Sequence, residues 1–263
     1  MVKMDYYDEF YDRVYSAGRR CNDEEKNRIM TIIQMIPNDV DSLLEIGCGD
    51  GRIINNLKNK YENIYGMDIS NEALKNVKTP KIKGRIENIP FPDNSFDIVL
   101  CSEVLEHLPN TIYEKALKEL QRVAKKYILI SVPNEENLQI GNVKCPQCAS
   151  SFHVYGHLRS YSLSHMKDLF DFYGLVYYEI ILNDVYILDD LVLKIKKWLK
   201  IDIFTFEDAK SCPQCGFTIS HKINGYNDTK KPYLIERLPF RLPMKKSGGW
   251  IMALYLKNDF HEM

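Results

Sequence analysis

Two identical tetrapeptides, Cys145-Pro146-Gln147-Cys148 and Cys212-Pro213-Gln214-Cys215, carry four of the chain's seven cysteines. Tetrahedral zinc takes four thiolates, and a two-residue gap lets one tight turn offer two sulfurs at about 2.3 Å from the metal. One such pair alone also reads as a redox dithiol; the repetition favours structural zinc. Saturated by Cys145, Cys148, Cys212 and Cys215, that ion would have no open position for catalysis. The 63 residues between the pairs mean that the site must be assembled from distant segments. Cys21, Cys48 and Cys101 fall outside the set, and Cys48 and Cys101 read as small residues at tight sites.

A second group is Glu103-x-x-Glu106-His107. On a helical turn its three side chains share one face, at i, i+3 and i+4. A neutral imidazole accepts a hydroxyl proton near pH 7, which makes His107 the candidate general base.

The third group is a loop. Leu43-Leu44-Glu45-Ile46 feeds Gly47-Cys48-Gly49-Asp50-Gly51, and an amphipathic stretch from Arg52 to Lys60 follows. That order reads as strand, tight turn and helix, with unpaired N–H groups at the helix start. The third glycine of the dinucleotide fingerprint is replaced by Arg52, and no Gly-Lys-Ser/Thr follows, so neither that fingerprint nor a P-loop fits. The acid Glu45 beside the loop suits a ligand carrying positive charge. Asp68, 17 positions after Gly51 at the end of Asn63-Ile-Tyr-Gly-Met-Asp68, is placed to accept both hydroxyl protons of a ribose.

Glu45-Ile46-Gly47-Cys48-Gly49-Asp50-Gly51, the acid at 68 and the stretch Asn88-Ile89-Pro90-Phe91-Pro92-Asp93-Asn94-Ser95-Phe96-Asp97 together resemble the class I S-adenosylmethionine (SAM) methyltransferases. The match runs in order through roughly the first half of the chain. It implies SAM as cofactor, with a binding set of Glu45, Gly47, Cys48, Gly49, Gly51, Asp68, Ile69, Ile86, Glu87 and Ser102. Many relatives carry an acid two residues before Glu87 to accept from the adenine amino group; here Arg85 stands there, leaving adenine to the Ile86 backbone with Glu87 nearby. Glu103, Glu106 and His107 follow the fourth strand, where the acceptor is expected. They resemble both quinone-pathway O-methyltransferases and small-RNA 2′-O-methyltransferases. In the latter such a triplet and a later histidine, here His157, bind Mg²⁺; in the wider family Glu-His-Leu binds no metal and is mainly structural. Both readings stay open on sequence. The Asn/Asp-Pro-Pro-Tyr/Phe motif of nucleobase and glutamine N-methyltransferases is absent after the fourth strand.

The expected elements follow from hydrophobic pattern. Helices are predicted over residues 5–16, from Asn22 to before Pro37, along the face Ile112, Ala116, Leu117, Leu120, Val123, and from Leu163 to Tyr173. Strands are predicted at 63–68, 81–87, 96–102, 127–132, 175–182 and 250–257, after the first at 43–46. The fold class is α/β, a Rossmann-like, seven-stranded, mostly parallel sheet with a zinc-stapled insertion between strands 6 and 7. The boundaries drawn are N-terminal helices over 1–36, a SAM-binding domain over 37–182 and 250–263, and an insertion over 183–249, with 141–157 completing a zinc-linked lid over the acceptor. Tyr6, Tyr7, Phe10, Tyr11 and Tyr15 belong to a helix packed on the domain or, as the resemblance suggests, to a lid over the cofactor.

With 45% hydrophobic and 27% charged residues and a net charge of −1, the chain is an ordinary globular sequence and not a generally basic nucleic-acid coat, which leaves room for a local basic patch. The insertion holds 12 Lys/Arg against 8 Asp/Glu, a local +4 that leaves −5 elsewhere. Within it, Leu188–Lys200 sets Leu191, Ile195, Trp198 and Leu199 opposite Lys194, Lys196, Lys197 and Lys200, a packed helix or a surface for a membrane or an anionic substrate. No apolar run approaches the roughly 20 residues of a membrane span, no signal peptide is evident, and the expected location is cytoplasmic. The expected function is O-methylation of a small, anionic metabolite or glycan precursor. The alternatives are RNA methylation through the basic insertion and a SAM-sensing module without turnover. The sequence names neither the acceptor nor the oligomeric state.

Overall fold

The computed structural model describes residues 10–12, 15, 22–139, 141–186, 206–209, 211–218 and 244–258. The segment 188–200 and Cys21 lie outside the described residues. The chain divides into two compact units, residues 1–136, 157–181 and 249–263 in one, and 137–156 with 182–248 in the other.

The first unit is built on apolar runs that become buried strands: β1 (Ser42–Ile46), β2 (Asn63–Asp68), β3 (Lys81–Lys83), β4 (Phe96–Ser102) and β5 (Ala124–Pro133). All seven residues of β4 are buried, as a strand covered on both faces of a parallel sheet requires. Beyond the short pair β6 (Asn142–Lys144) and β7 (Ser151–His153) come β8 (Tyr173–Tyr186) and β9 (Met244–Lys257). The sheet has seven strands in the order β3-β2-β1-β4-β5-β9-β8. Pairings among β1 to β5 are parallel, and β9 pairs with β5 antiparallel. The order reverses between β1 and β4, so their carboxyl ends open a crevice for ligands.

The period-two alternation of β1 sends Leu44 and Ile46 to one core and Leu43 to the other. The first core is closed by helix Asn110–Val123 through Ala116, Leu117, Leu120 and Val123. The second is closed by helix α1 (Asp23–Met35) through Ile29, Ile32 and Met35, and by α2 (Ile54–Leu57). In α1 the Asn22 side chain accepts from Glu25 N at 2.8 Å, and Asp23, Glu24 and Glu25 occupy the positive end of the helix. Two short helices, α3 (Asn71–Leu74) and α5 (Leu163–Lys167), flank α4, the helix Asn110–Val123.

Several expected bounds move. The helix after the glycine loop is only α2, and β3 ends at Lys83 rather than residue 87. Helix α5 stops at Lys167 instead of reaching Tyr173. Phe170 and Tyr173 are drawn into the α4-side core, and Tyr173 Oη donates to Ala124 O at 2.7 Å. Strands β5, β8 and β9 are longer than their apolar runs suggest, spanning Ala124–Pro133, Tyr173–Tyr186 and Met244–Lys257. Among the described residues no helix is long and apolar enough to cross a membrane.

In the second unit, Asn142–Lys144 and Ser151–His153 pair antiparallel around the first cysteine knuckle. Among its described residues, small apolar clusters join Val143 with Val154 and Ala209, and Phe206 with Cys145 and Cys212.

Candidate active site

The carboxyl ends of β1, β2 and β4 frame an open cleft with about 760 Å³ of empty space, the solvent at its mouth included. Its walls include Gly47, Asp68, Ile69, Ile86, Glu87, Glu103 and His107. Gly47 and Gly49 have φ of 69° and 53°, in the left-handed region where a Cβ is disfavoured. A Cβ at Gly47 would also collide with Val104, and one at Gly49 with Tyr15 Oη, so the loop needs both hydrogens.

Asp68 is buried at the end of β2. Its two oxygens accept from the loop: Gly49 N to Oδ2 and Ser70 N to Oδ1, each at 2.8 Å. Burial raises its pKa, against which the amides of Ser70 and Gly49 favour the charge. The Ile69 amide adds to these two, and a carboxylate's roughly four lone-pair sites leave room for a ligand beside the three. Glu45, at the same register as the Leu43 side of β1, is buried and does not line the cleft. Burial drives its pKa well up, the Ile54 amide opposing, and Oε2 has no hydrogen-bond partner. Cys48 and Ser102 also lie behind the wall: Cys48 is buried against Gly66, and Ser102 Oγ accepts from Arg28 at 2.6 Å. Arg85 lines the cleft 3.8 Å from Glu87 Oε1.

Tyr11 and Tyr15 line the cleft, and Tyr11 meets His107 edge-on with ring centroids 6.2 Å apart. Asp12, not singled out in the sequence, ties this segment down by accepting from Ser70 Oγ at 2.5 Å and Glu72 N at 3.1 Å.

The acceptor side departs from the expected helical face. Only Leu105–His107 forms a 3-10 turn, and Glu103 precedes it with φ 57°. Glu103 therefore points elsewhere: Oε2 accepts from Trp250 Nε1 at 2.9 Å and Oε1 lies 3.6 Å from Arg28. Glu106, His107 and His157 do come together, with potential ligand atoms all within 4.8 Å of one another. Glu106 is fully buried, neither carboxylate oxygen has a hydrogen-bond partner, and Oε1 is 3.8 Å from His107 Nε2. Burial, then the Glu103 charge, pushes its pKa well up. A buried carboxylate facing two imidazoles is the donor set of a divalent cation, and a bound charge would relieve the desolvation cost. Glu103 is not in that group.

In the second unit the four cysteines converge. The Cys145–Cys215 and Cys148–Cys212 sulfurs are 3.7 and 3.8 Å apart, and all four lie within 4.8 Å. A tetrahedron with metal–sulfur bonds of about 2.3 Å puts its sulfurs about 3.8 Å apart, so these residues fit zinc.

Residues 44–129 match the family described as Methyltransferase domain. A protein of Methanocaldococcus jannaschii is 39% identical over 115 residues, covering 42% of this chain and 49% of that protein. The ubiquinone biosynthesis O-methyltransferase of Rickettsia bellii is 31% identical over 130 residues, covering 45% and 53%. The chain thus spans about half the length of the curated relatives it matches. Among solved structures, YcgJ of Bacillus subtilis superimposes with TM-score 0.53 at 16% identity, over 89% of this chain and 99% of that one. The Haloferax volcanii complex of the Trm112 methyltransferase activator gives 0.53 at 13% identity over 100% of both chains. Both similarities establish the fold. Within the first unit, residues 44–129 are thus similar to a methyltransferase domain, and the relatives of that segment include a methyltransferase.

Proposed function

We propose that the protein transfers a methyl group from SAM to a hydroxyl oxygen, with a divalent cation at Glu106, His107 and His157 orienting the acceptor. The observation that carries this reading is the buried, unpartnered Glu106 carboxylate beside two imidazoles, one of which lines the cleft. When bound, SAM supplies a methyl already activated on its sulfonium. The chain's part is positioning. Asp68 and the Gly47–Gly51 loop hold the nucleoside end, and Tyr11 and Tyr15 cover it. Glu103, fixed by Trp250 and Arg28, sets negative charge on the wall facing a cationic ligand. Mg²⁺ or Mn²⁺ at the three-residue set would polarise the acceptor hydroxyl. Without an ion, His107 itself takes up the proton.

The likeness to an O-methyltransferase of quinone biosynthesis supports oxygen as the attacking atom and a small metabolite or glycan precursor as acceptor. RNA is the second reading, favoured by the carboxylate–imidazole set that the sequence shares with 2′-O-methyltransferases and by the +4 charge of residues 183–249. The second unit we assign to acceptor recognition, its fold secured by zinc on Cys145, Cys148, Cys212 and Cys215.

Turnover should collapse in EDTA and return with Mg²⁺ or Mn²⁺; undiminished turnover in chelator removes the cation and leaves His107 as base. With RNA as acceptor, binding falls steeply as salt rises, whereas metabolite turnover changes little.

A further inference from the structure

His157 reaches the 105–108 turn because its neighbours are stapled there. Leu158 N donates to Glu106 O at 2.8 Å, and Arg159 Nη1 donates to the carbonyls of Leu105 and Leu108 at 2.8 and 2.5 Å. The ring then packs 4.8 Å, centroid to centroid, from that of His107. These contacts of the Leu158 backbone and the Arg159 side chain fix where the imidazole lies, but leave open how the ring is turned and which nitrogen carries its proton.

Glu136 supplies that restriction. It lies three residues past the end of β5, and its Oε2 is 2.5 Å from His157 Nδ1. The pair is largely shielded, with side-chain exposures of 23% and 10%. With the proton held on Nδ1 against the carboxylate, the ring's in-plane lone pair lies on Nε2.

We propose that Glu136 is a positioning residue that locks His157 in the Nδ1–H form, so that Nε2 serves as the ligand atom toward a cation shared with Glu106 and His107. The inference rests on the cation reading above and adds a fourth residue that touches no metal. A carboxylate behind a metal-bound imidazole fixes its tautomer and raises its basicity, and losing one costs 10- to 100-fold in metal affinity. Removing Glu136 should also leave SAM binding intact, because Asp68 and the glycine loop hold the cofactor without it.

The test uses the full chain, Glu136→Ala and Glu136→Gln. Long-range ¹⁵N–¹H NMR on metal-free protein above the imidazole titration range reads the His157 tautomer. Calorimetry with Mn²⁺ reads the site, and SAM affinity serves as the folding control. Wild type should show the Nδ1–H form. Glu136→Ala should lose it and bind Mn²⁺ about 10- to 100-fold more weakly with SAM affinity unchanged. Glu136→Gln, whose amide oxygen still accepts from Nδ1–H, should keep the tautomer and recover most of the affinity. An unchanged tautomer in Glu136→Ala, or Mn²⁺ affinity equal to wild type, overturns the role of Glu136 alone. Wild-type protein that binds no Mn²⁺ overturns the cation reading, and this proposal with it.

Discussion

Asp68→Asn is the substitution that most sharply separates a built cofactor site from a glycine turn that merely closes the fold. The carboxylate accepts from Gly49 N and Ser70 N, each at 2.8 Å, one on each oxygen. Asparagine keeps one acceptor oxygen, so one of these N–H groups is left facing an amide NH₂. The same change removes the charged acceptor that would receive a ribose hydroxyl. Hydrogen bonds to charged groups contribute about 1.5–3 kcal/mol each, and losing one from the ligand corresponds to roughly 12- to 150-fold in Kd. Isothermal calorimetry with SAM reads the affinity, and urea unfolding of the same samples reads the cost of disturbing the loop. The expected result is a folded variant with Kd raised in that range. A folded Asn variant that binds SAM within about twofold of wild type would refute the reasoning, since Asp68 would then serve only the loop amides.

The remaining expectations concern the second unit, the cation and acid stability. Cys212→Ser should lose one zinc per chain by metal analysis, spare SAM binding, and raise the acceptor KM or abolish turnover; loss of SAM binding as well would show that the cysteines support the whole chain. Glu106→Gln should abolish Mn²⁺ binding by calorimetry, because a neutral amide replaces the buried carboxylate; unchanged Mn²⁺ affinity would place any ion elsewhere. Burial opposes ionisation of Asp97, but the Asp41 and Ser42 amides, the Ser42 hydroxyl and Lys125 outweigh it and hold the carboxyl below its ordinary range. Its contribution is therefore fully present above the unfolded value of about 3.9 and is lost as pH falls through the folded one. Denaturant titrations from pH 6 to about 3 should show a shallower acid decline for Asp97→Asn than for wild type.

Where local chemistry decides structure, the sequence was a sufficient guide. Strands β2 and β4 begin and end where their apolar runs do, because turn residues bound them and both faces are covered. Asn22 and the acids after it mark the start of α1 for the same local reason. The sulfur cluster followed from the repeated tetrapeptide. Glu103 did not read correctly, since a left-handed backbone at a non-glycine residue leaves no local signature and its partner Trp250 is 147 residues away. Arg28 reads as one more basic residue on α1, yet it is buried and bonded to Ser102, 74 positions on. Glu136 carried a weak signal: an acid just past β5, at the sheet edge where β1, β2 and β4 also end. Its value depended on His157 arriving beside it, which only the packing of residues 157–159 against the 105–108 turn brings about.

The most direct measurement is transfer itself. Wild-type protein incubated with methyl-deuterated SAM and Mg²⁺, across hydroxylated metabolites, glycan precursors and short RNAs, should yield a product with the labelled methyl on oxygen. Liquid chromatography–mass spectrometry should show S-adenosylhomocysteine released in equal amount. Label on nitrogen would contradict the hydroxyl acceptor. SAM bound tightly, with no S-adenosylhomocysteine above the protein-free rate for any acceptor, would contradict methyl transfer and favour a cofactor-sensing module.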